Sequence, residues 1–245
     1  MTLTGKHAVV TGGGTGIGLA SAQALKAMGA EVTITGRRLG VLEDAAATHG
    51  LHALQMDVTD ENSVIDGFSK LESVDILIAN AGIARGQNIL RSDSGFWREI
   101  MATNLDGAYL TIREALKKMP IDTWGRIVAI SSIAGLRGHK GAHAYAASKH
   151  GLLGLIRTLA LDFVTKPVTF NAICPGYVET EIIDQNIESI KKKLKIGEDA
   201  ARQIMLDQNP HGRLIKPEEI AQSVAWLCGP GSESVNGTTV EISGG

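Results

Sequence analysis

The chain has 245 residues, of which 44% are hydrophobic and 20% charged, so there is ample material for a core and no signature of disorder. Its formal net charge of −2 argues against a nucleic-acid binder, and no apolar run reaches the roughly 18–20 residues that a membrane helix needs. The two cysteines, Cys174 and Cys228, have neither metal spacing nor a disulfide framework, so reduced buried thiols in a cytoplasmic protein are expected, and the first residues show no secretory leader.

Short apolar runs alternate with helical patterns along the whole chain. The runs at 7–12, 31–36, 51–58, 75–82, 126–132, 168–174 and 238–243 read as buried strands rich in Val and Ile. Between them, segments such as IGLASAQALKAMGA and KHGLLGLIRTLALDF carry apolar residues at helical spacing. Strands alternating with helices predict an α/β fold, a doubly wound, seven-stranded parallel sheet. No linker, repeat or low-complexity tract interrupts the pattern, so residues 1–245 are expected to form one domain. The one break in rhythm is 176–216, helical in character and too long for an ordinary strand-to-helix loop. It is expected to be a lid at the C-terminal edge of the sheet.

The first strand runs into VVTGGGTGIGLA, which opens a helix. Gly12 lets the chain turn tightly off the strand. Gly16 and Gly18 allow backbone and helix to approach a pyrophosphate, which the free N–H groups and positive dipole of a helix N-terminus would hold. An acid for the ribose hydroxyls is expected at the end of the second strand of an NAD site. That place reads Gly36-Arg37-Arg38, which points to a 2′-phosphate and so to NADP(H) over NAD(H). The competing readings for these arginines are a solvated turn or a stack on the adenine.

In HAYAASKHG, Tyr145 and Lys149 stand at i and i+4, on one face of a helix, where phenol and ammonium can meet. Many helices carry such a pair by accident, and the spacing alone does not decide. The order of features does: TGGGTGIG, then DVTD at 57–60, NAG at 80–82, Asn104 in MATNLDGAYL, ISS at 130–132, YAASK at 145–149, CPGYVET at 174–180 and GRLIKPEEIAQSVAWL. Together they resemble the short-chain dehydrogenase/reductase family over nearly the whole chain, with Tyr145 lying 13 residues after Ser132.

That resemblance implies an NAD(P)-dependent oxidoreductase interconverting a secondary alcohol and a ketone. Tyr145 is then the general acid for reduction and the base for oxidation. Lys149 lowers the phenol's pKa and bonds the nicotinamide ribose, and Ser132 donates to the substrate oxygen. Asn104 would hold a water next to the lysine; the competing reading is an asparagine that satisfies backbone groups. Asp57, with Val58 beside it, would meet the adenine, the alternative for Asp57 being a helix cap. Thr15 and Ile17 would belong to the phosphate loop, and Asn80, Ala81 and Gly82 would border the cofactor. Pro175, Gly176, Val178 and Thr180 would line the nicotinamide. The departures are Ala79, where a second asparagine is common, and Ser243, where an acid is common.

The segments CPGYVETEIIDQ and NPHGRLIKPEEIA are similar to those of 3-hydroxyacyl-CoA and hydroxybutyrate dehydrogenases and of polyketide or fatty-acid ketoreductases. A non-catalytic nucleotide sensor would be expected to have lost one of Asn104, Ser132, Tyr145 and Lys149, and all four are present. His139 and His143 have a spacing that metal ligands use, but without the H-E-x-x-H pattern, and no metal is expected. SIKKKLK (189–195) reads as a solvated helix face, with a coenzyme A phosphate or an acidic membrane surface as the alternatives. The apolar surplus on the helices around 104–119 and 149–163 implies a homotetramer, as the family commonly forms.

Overall fold

The computed structural model describes residues 2–245, except for the side chain of Gln185. Among the described residues the strands are β1 (His7–Thr11), β2 (Glu31–Gly36), β3 (His52–Gln55), β4 (Ile76–Ala79), β5 (Gly125–Ile130), β6 (Val168–Pro175) and β7 (Thr239–Ile242). All pair in parallel, in the order β3-β2-β1-β4-β5-β6-β7. This is the expected seven-stranded, doubly wound sheet. Neighbouring residues of a strand point to opposite faces. In β1, Ala8 and Val10 enter the apolar cluster on one face while Val9 enters that on the other. Ile76 and Ile78 of β4 part from Leu77 and Ala79 in the same way. Both faces are buried, so the strands read as continuous apolar runs rather than as an alternation.

Three helices, α1 (Gly16–Ala27), α2 (Leu39–His49) and α9 (Pro217–Cys228), cover the first face through residues such as Leu25, Leu42 and Val224. The other face carries α3 (Glu61–Ser69), α5 (Gly107–Lys118) and α6 (His143–Asp162), through Val64, Ile112 and Leu152. Burying each such side chain contributes about 1.5–3 kcal/mol. Asp60 caps α3 by accepting from the N–H groups of Asn62 and Ser63 at 2.9 and 3.4 Å, and Gly50 ends α2 in the left-handed region at φ +65°.

The segment expected to be helical forms α7 (Glu181–Leu194) and α8 (Glu198–Leu206), whose apolar residues make a small cluster of their own. The remaining helix, α4 (Ser94–Met101), does not run directly into α5. Residues Ala102–Asp106 form a π turn between them, with Asn104 at its centre. No helix among the described residues is long and apolar enough to cross a membrane.

The strand order reverses between β1 and β4, and in such sheets a crevice opens there at the carboxyl ends of the strands.

Candidate active site

Beyond Thr11 the chain turns through glycines into α1. Gly12 and Gly16 have φ of +62° and +54°, the left-handed region that side chains rarely adopt. No side chain caps α1: Thr15, at its N-cap, makes no such bond. Gly14, Thr15, Gly16 and Ile17 line a cavity of about 320 Å³. A glycine cradle with uncapped N–H groups at the positive end of a helix fits a dinucleotide pyrophosphate. Gly18 is used differently. A Cβ there would run into the carbonyl oxygen of Gly12 and lie 2.5 Å from Asn80 Nδ2, so this glycine allows α1 to pack on the loop itself.

The same cavity is lined by Gly12, Arg37, Arg38, Asp57, Val58, Asn80, Ala81, Gly82 and Thr180. The structure therefore gathers there the cofactor residues expected from the sequence, except Gly18, Tyr145, Lys149, Pro175, Gly176 and Val178, and the last five line the neighbouring cavity. Asn80 braces the loop: its Nδ2 donates to the carbonyls of Thr11 and Gly12 at 2.8 and 3.2 Å. Thr11 Oγ1 accepts from the N–H groups of Asn80 and Ala81, both at 3.0 Å. Asp57 is not a helix cap. Its carboxylate accepts from Thr59 N and Oγ1 at 2.9 and 2.8 Å, which turns the chain off β3 while the Asp57 side chain stays at the cavity. Arg37 and Arg38 are exposed at the rim, and Arg38 stands 3.6 Å from Glu181 at the start of α7. Such an exposed pair contributes about 0–1 kcal/mol and leaves Arg38 available.

A second cavity, of about 300 Å³, meets the first along Ile17, Asn80, Gly82, Ile83, Thr180 and Ile182. Ser132, Tyr145 and Lys149 line it. Ser132 follows β5, and Tyr145 and Lys149 lie on one face of the first turns of α6. Ser132 shares this cavity with the Tyr145 phenol, and its Oγ accepts from Ala134 N–H at 3.1 Å. Lys149 is buried; its Nζ donates to the carbonyl of Ile130 at 2.8 Å and sits 5.8 Å from the centre of the Tyr145 ring. Asn104 stands behind this group. Its Oδ1 accepts from Ile83 N–H at 2.8 Å, and its Nδ2 donates to Ile83 O and Ser148 Oγ at 3.0 and 3.1 Å. The amide thus satisfies backbone groups, those of the loop after β4, and ties that loop to α6.

The net shift of Tyr145 runs opposite to the lowering expected from Lys149. Burial raises Tyr145 above its usual value, opposed in part by the Ser132 hydroxyl. Burial also lowers Lys149 to about 8. The protein alone therefore keeps Tyr145 protonated at neutral pH.

Two residues of this cavity were not singled out as a pair by the sequence. His139 Nε2 lies 2.7 Å from the Tyr177 hydroxyl. His143 turns elsewhere, with its Nε2 3.2 Å from Ser92 Oγ, so the two imidazoles share no centre. The lysine run also has a local explanation: Lys191 pairs with Glu188 and Glu198 at 2.5 and 3.2 Å. Asn209, buried beneath the start of the lid, gave no signal in the sequence.

A glycine-loop nucleotide crevice that opens onto a Ser-Tyr-Lys group defines a nucleotide-dependent dehydrogenase. The family model described as enoyl-(acyl carrier protein) reductase matches residues 12–245. The chain is 36% identical over 253 residues to the 3-oxoacyl-(acyl-carrier-protein) reductase of Aquifex aeolicus, covering 99% of this chain and 98% of that one. It is 34% identical to the D-beta-hydroxybutyrate dehydrogenase of Cupriavidus necator, covering 99% and 98%. An actinorhodin polyketide ketoreductase solved with NADPH superposes with a TM-score of 0.92 at 30% identity, covering 98% and 96%. The chain belongs to the short-chain dehydrogenase/reductase family and is an NAD(P)-dependent oxidoreductase acting on an alcohol or ketone.

Proposed function

We propose that the enzyme interconverts 3-oxoacyl and 3-hydroxyacyl compounds with NADP(H), using Ser132, Tyr145 and Lys149 as catalytic residues. The observation that carries this is the meeting of the two cavities: the wall holding these three side chains continues into the glycine loop. The names of the relatives supply the substrate class. The bound dinucleotide supplies hydride for reduction, or accepts it for oxidation. In reduction Tyr145 gives its phenolic proton to the substrate oxygen as that oxygen gains charge. Ser132 donates a hydrogen bond to the same oxygen, and the Lys149 cation stabilises the phenolate left behind. Asn104 is a positioning residue, since all its amide groups are engaged by Ile83 and Ser148. A panel of 3-oxoacyl thioesters, cyclic ketones and aromatic ketones, run with both cofactors, tests the substrate class; best turnover of a cyclic or aromatic ketone overturns it.

The preference for NADP rests on Gly36 and Arg37. With glycine at the end of β2 no carboxylate there repels a 2′-phosphate, and Arg37 follows with a planar fork of donors. A hydrogen bond to a charged partner contributes about 1.5–3 kcal/mol, roughly tenfold discrimination or more. The ratio of kcat/KM for NADPH over NADH is expected to exceed 10, on the same rough scale, and to invert in a Gly36→Asp, Arg37→Leu double variant. Wild type favouring NADH, or a ratio unmoved by the double variant, sinks this reading.

The assembly is a homotetramer paired on α5 and α6, and the protein works in the cytoplasm. In support, Tyr109 on α5 and Leu161 on α6 are 48% and 72% exposed, apolar surface that a lone subunit leaves in water. Light scattering at micromolar concentration is expected to give four times the subunit mass, and a monomer would count against it.

A further inference from the structure

Tyr177 opens the segment that carries α7 and α8, and its backbone is held from both sides by one buried amide. Asn209 Oδ1 accepts from Tyr177 N–H at 2.9 Å, and Asn209 Nδ2 donates to Tyr177 O at 2.9 Å and to Arg213 O at 2.8 Å. A Cβ on Gly176 would lie 2.6 Å from that Oδ1, so the amide presses against the chain just where the phenol departs. The Tyr177 hydroxyl reaches His139 Nε2, on the loop before α6, at 2.7 Å. Both residues line the cavity that holds Ser132 and Tyr145.

The hydrogen-bond inventory of this pair does not close. If neutral His139 carries its proton on Nδ1, Nε2 accepts from the Tyr177 hydroxyl and the Nδ1–H is left over. If the proton is on Nε2, that N–H donates to the phenol oxygen and the Tyr177 O–H is left over. Each tautomer leaves one donor, and neither side chain has another partner among the described residues. Elsewhere this wall is largely apolar, with Ile83, Ile182 and Ile183 among its residues. A fixed donor in a partly enclosed, largely apolar cavity favours a ligand that brings an acceptor.

We propose that His139 and Tyr177 form a subsite for a second acceptor oxygen of the substrate, the thioester carbonyl or carboxylate oxygen at C1, while the C3 oxygen meets Ser132 and Tyr145. This deepens the 3-oxoacyl reading and rests on it. The pair acts on binding and on placement of the carbonyl, not on proton transfer. A ketone lacking the second oxygen leaves the donor unpaired, and the site discriminates against it.

The test compares acetoacetate, S-acetoacetyl-N-acetylcysteamine and pentan-2-one in wild type, Tyr177→Phe, His139→Leu and the double variant. In the double variant KM for the substrates with a C1 oxygen is expected to rise about tenfold, with kcat less affected, while kcat/KM for pentan-2-one stays within about twofold. The dissociation constant of S-3-hydroxybutyryl-N-acetylcysteamine, by calorimetry on the NADPH-loaded protein, a pair that cannot exchange hydride, is expected to rise by the same factor. A larger loss on acetoacetate assigns the subsite to a carboxylate, and a larger loss on the thioester assigns it to a thioester carbonyl. Equal losses on all three substrates would make the pair a mere latch between lid and loop and overturn the proposal. A wild type that prefers pentan-2-one overturns the 3-oxoacyl reading and the subsite with it. A preference for 3-oxoacyl substrates that survives in the double variant overturns the subsite alone.

Discussion

Tyr145→Phe is expected to lower kcat by about 10²–10⁴-fold, the usual contribution of a general acid, while melting temperature and nucleotide affinity stay near wild type. Only an oxygen and its proton are removed, and the ring keeps its volume. Ser132 still accepts from Ala134 N–H, so its oxygen is not stranded. The charge balance adds a second readout. Lys149 is lowered to about 8 by burial, so it is charged below that pH and neutral above it. As pH rises through that range the phenolate left after proton donation loses its neighbouring cation. The wild-type rate of ketone reduction is therefore expected to fall on the alkaline side. A phenylalanine variant retaining more than a tenth of wild-type turnover, measured at pH 7 with saturating cofactor, would show that Tyr145 is not the donor.

Gly18→Ala is expected to destabilise the fold by about 3 kcal/mol or more, at the upper end of what overpacking costs. The new methyl group would meet the carbonyl oxygen of Gly12 and Asn80 Nδ2, that is, main chain and a side chain already bonded to Thr11 and Gly12. Neither can swing aside without opening the joint between α1, β1 and the end of β4. Gly40, in α2, is the control. A Cβ there has nothing within 4 Å, and alanine is the better helix former, so Gly40→Ala should be neutral or stabilising by up to about 1 kcal/mol. Urea unfolding of the two variants side by side checks this. Equal midpoints would mean that the loop yields and that the glycine at 18 is not required by packing.

The sheet was legible because parallel strands buried on both faces leave unbroken apolar runs, and each run expected between 7 and 243 holds a strand. The ends were not legible. β3 stops at Gln55 because Asp57 bonds forward to Thr59, and β4 stops at Ala79 because Asn80 turns to brace the first loop. Thr11 was read as a strand end and the head of TGGGTGIG, but not for its hydroxyl, which accepts two backbone N–H groups across the switch point. The π turn at 102–106 is invisible in ATNLD, since one widened turn leaves no period to detect. That Ser132, Tyr145 and Lys149 share one cavity was legible because their relative positions are carried by one strand end and one helix. The pairing of His139 with Tyr177 was not, because it joins two loops through a lid whose path depends on tertiary packing.

The lid's own apolar cluster has a consequence for how this enzyme can change. Ile183, Ile187, Ala201, Met205 and Leu214 pack on one another, apart from the clusters on the two faces of the sheet. At its base the Asn209 amide ties the entering strand of chain to the leaving one, and a single bridge joins Val178 to Ile215. The lid is in effect an exchangeable module with a standard fitting. Its interior can be rewritten without disturbing the packing on the two faces of the sheet, whereas Thr180, Glu181 and Ile182, which line the dinucleotide cavity, and Val178 and Ile215, which join the cluster on the first face, are tied to the rest of the fold. Selection for a new substrate can thus act on α7 and α8 while the glycine loop and the Tyr145 wall are inherited intact.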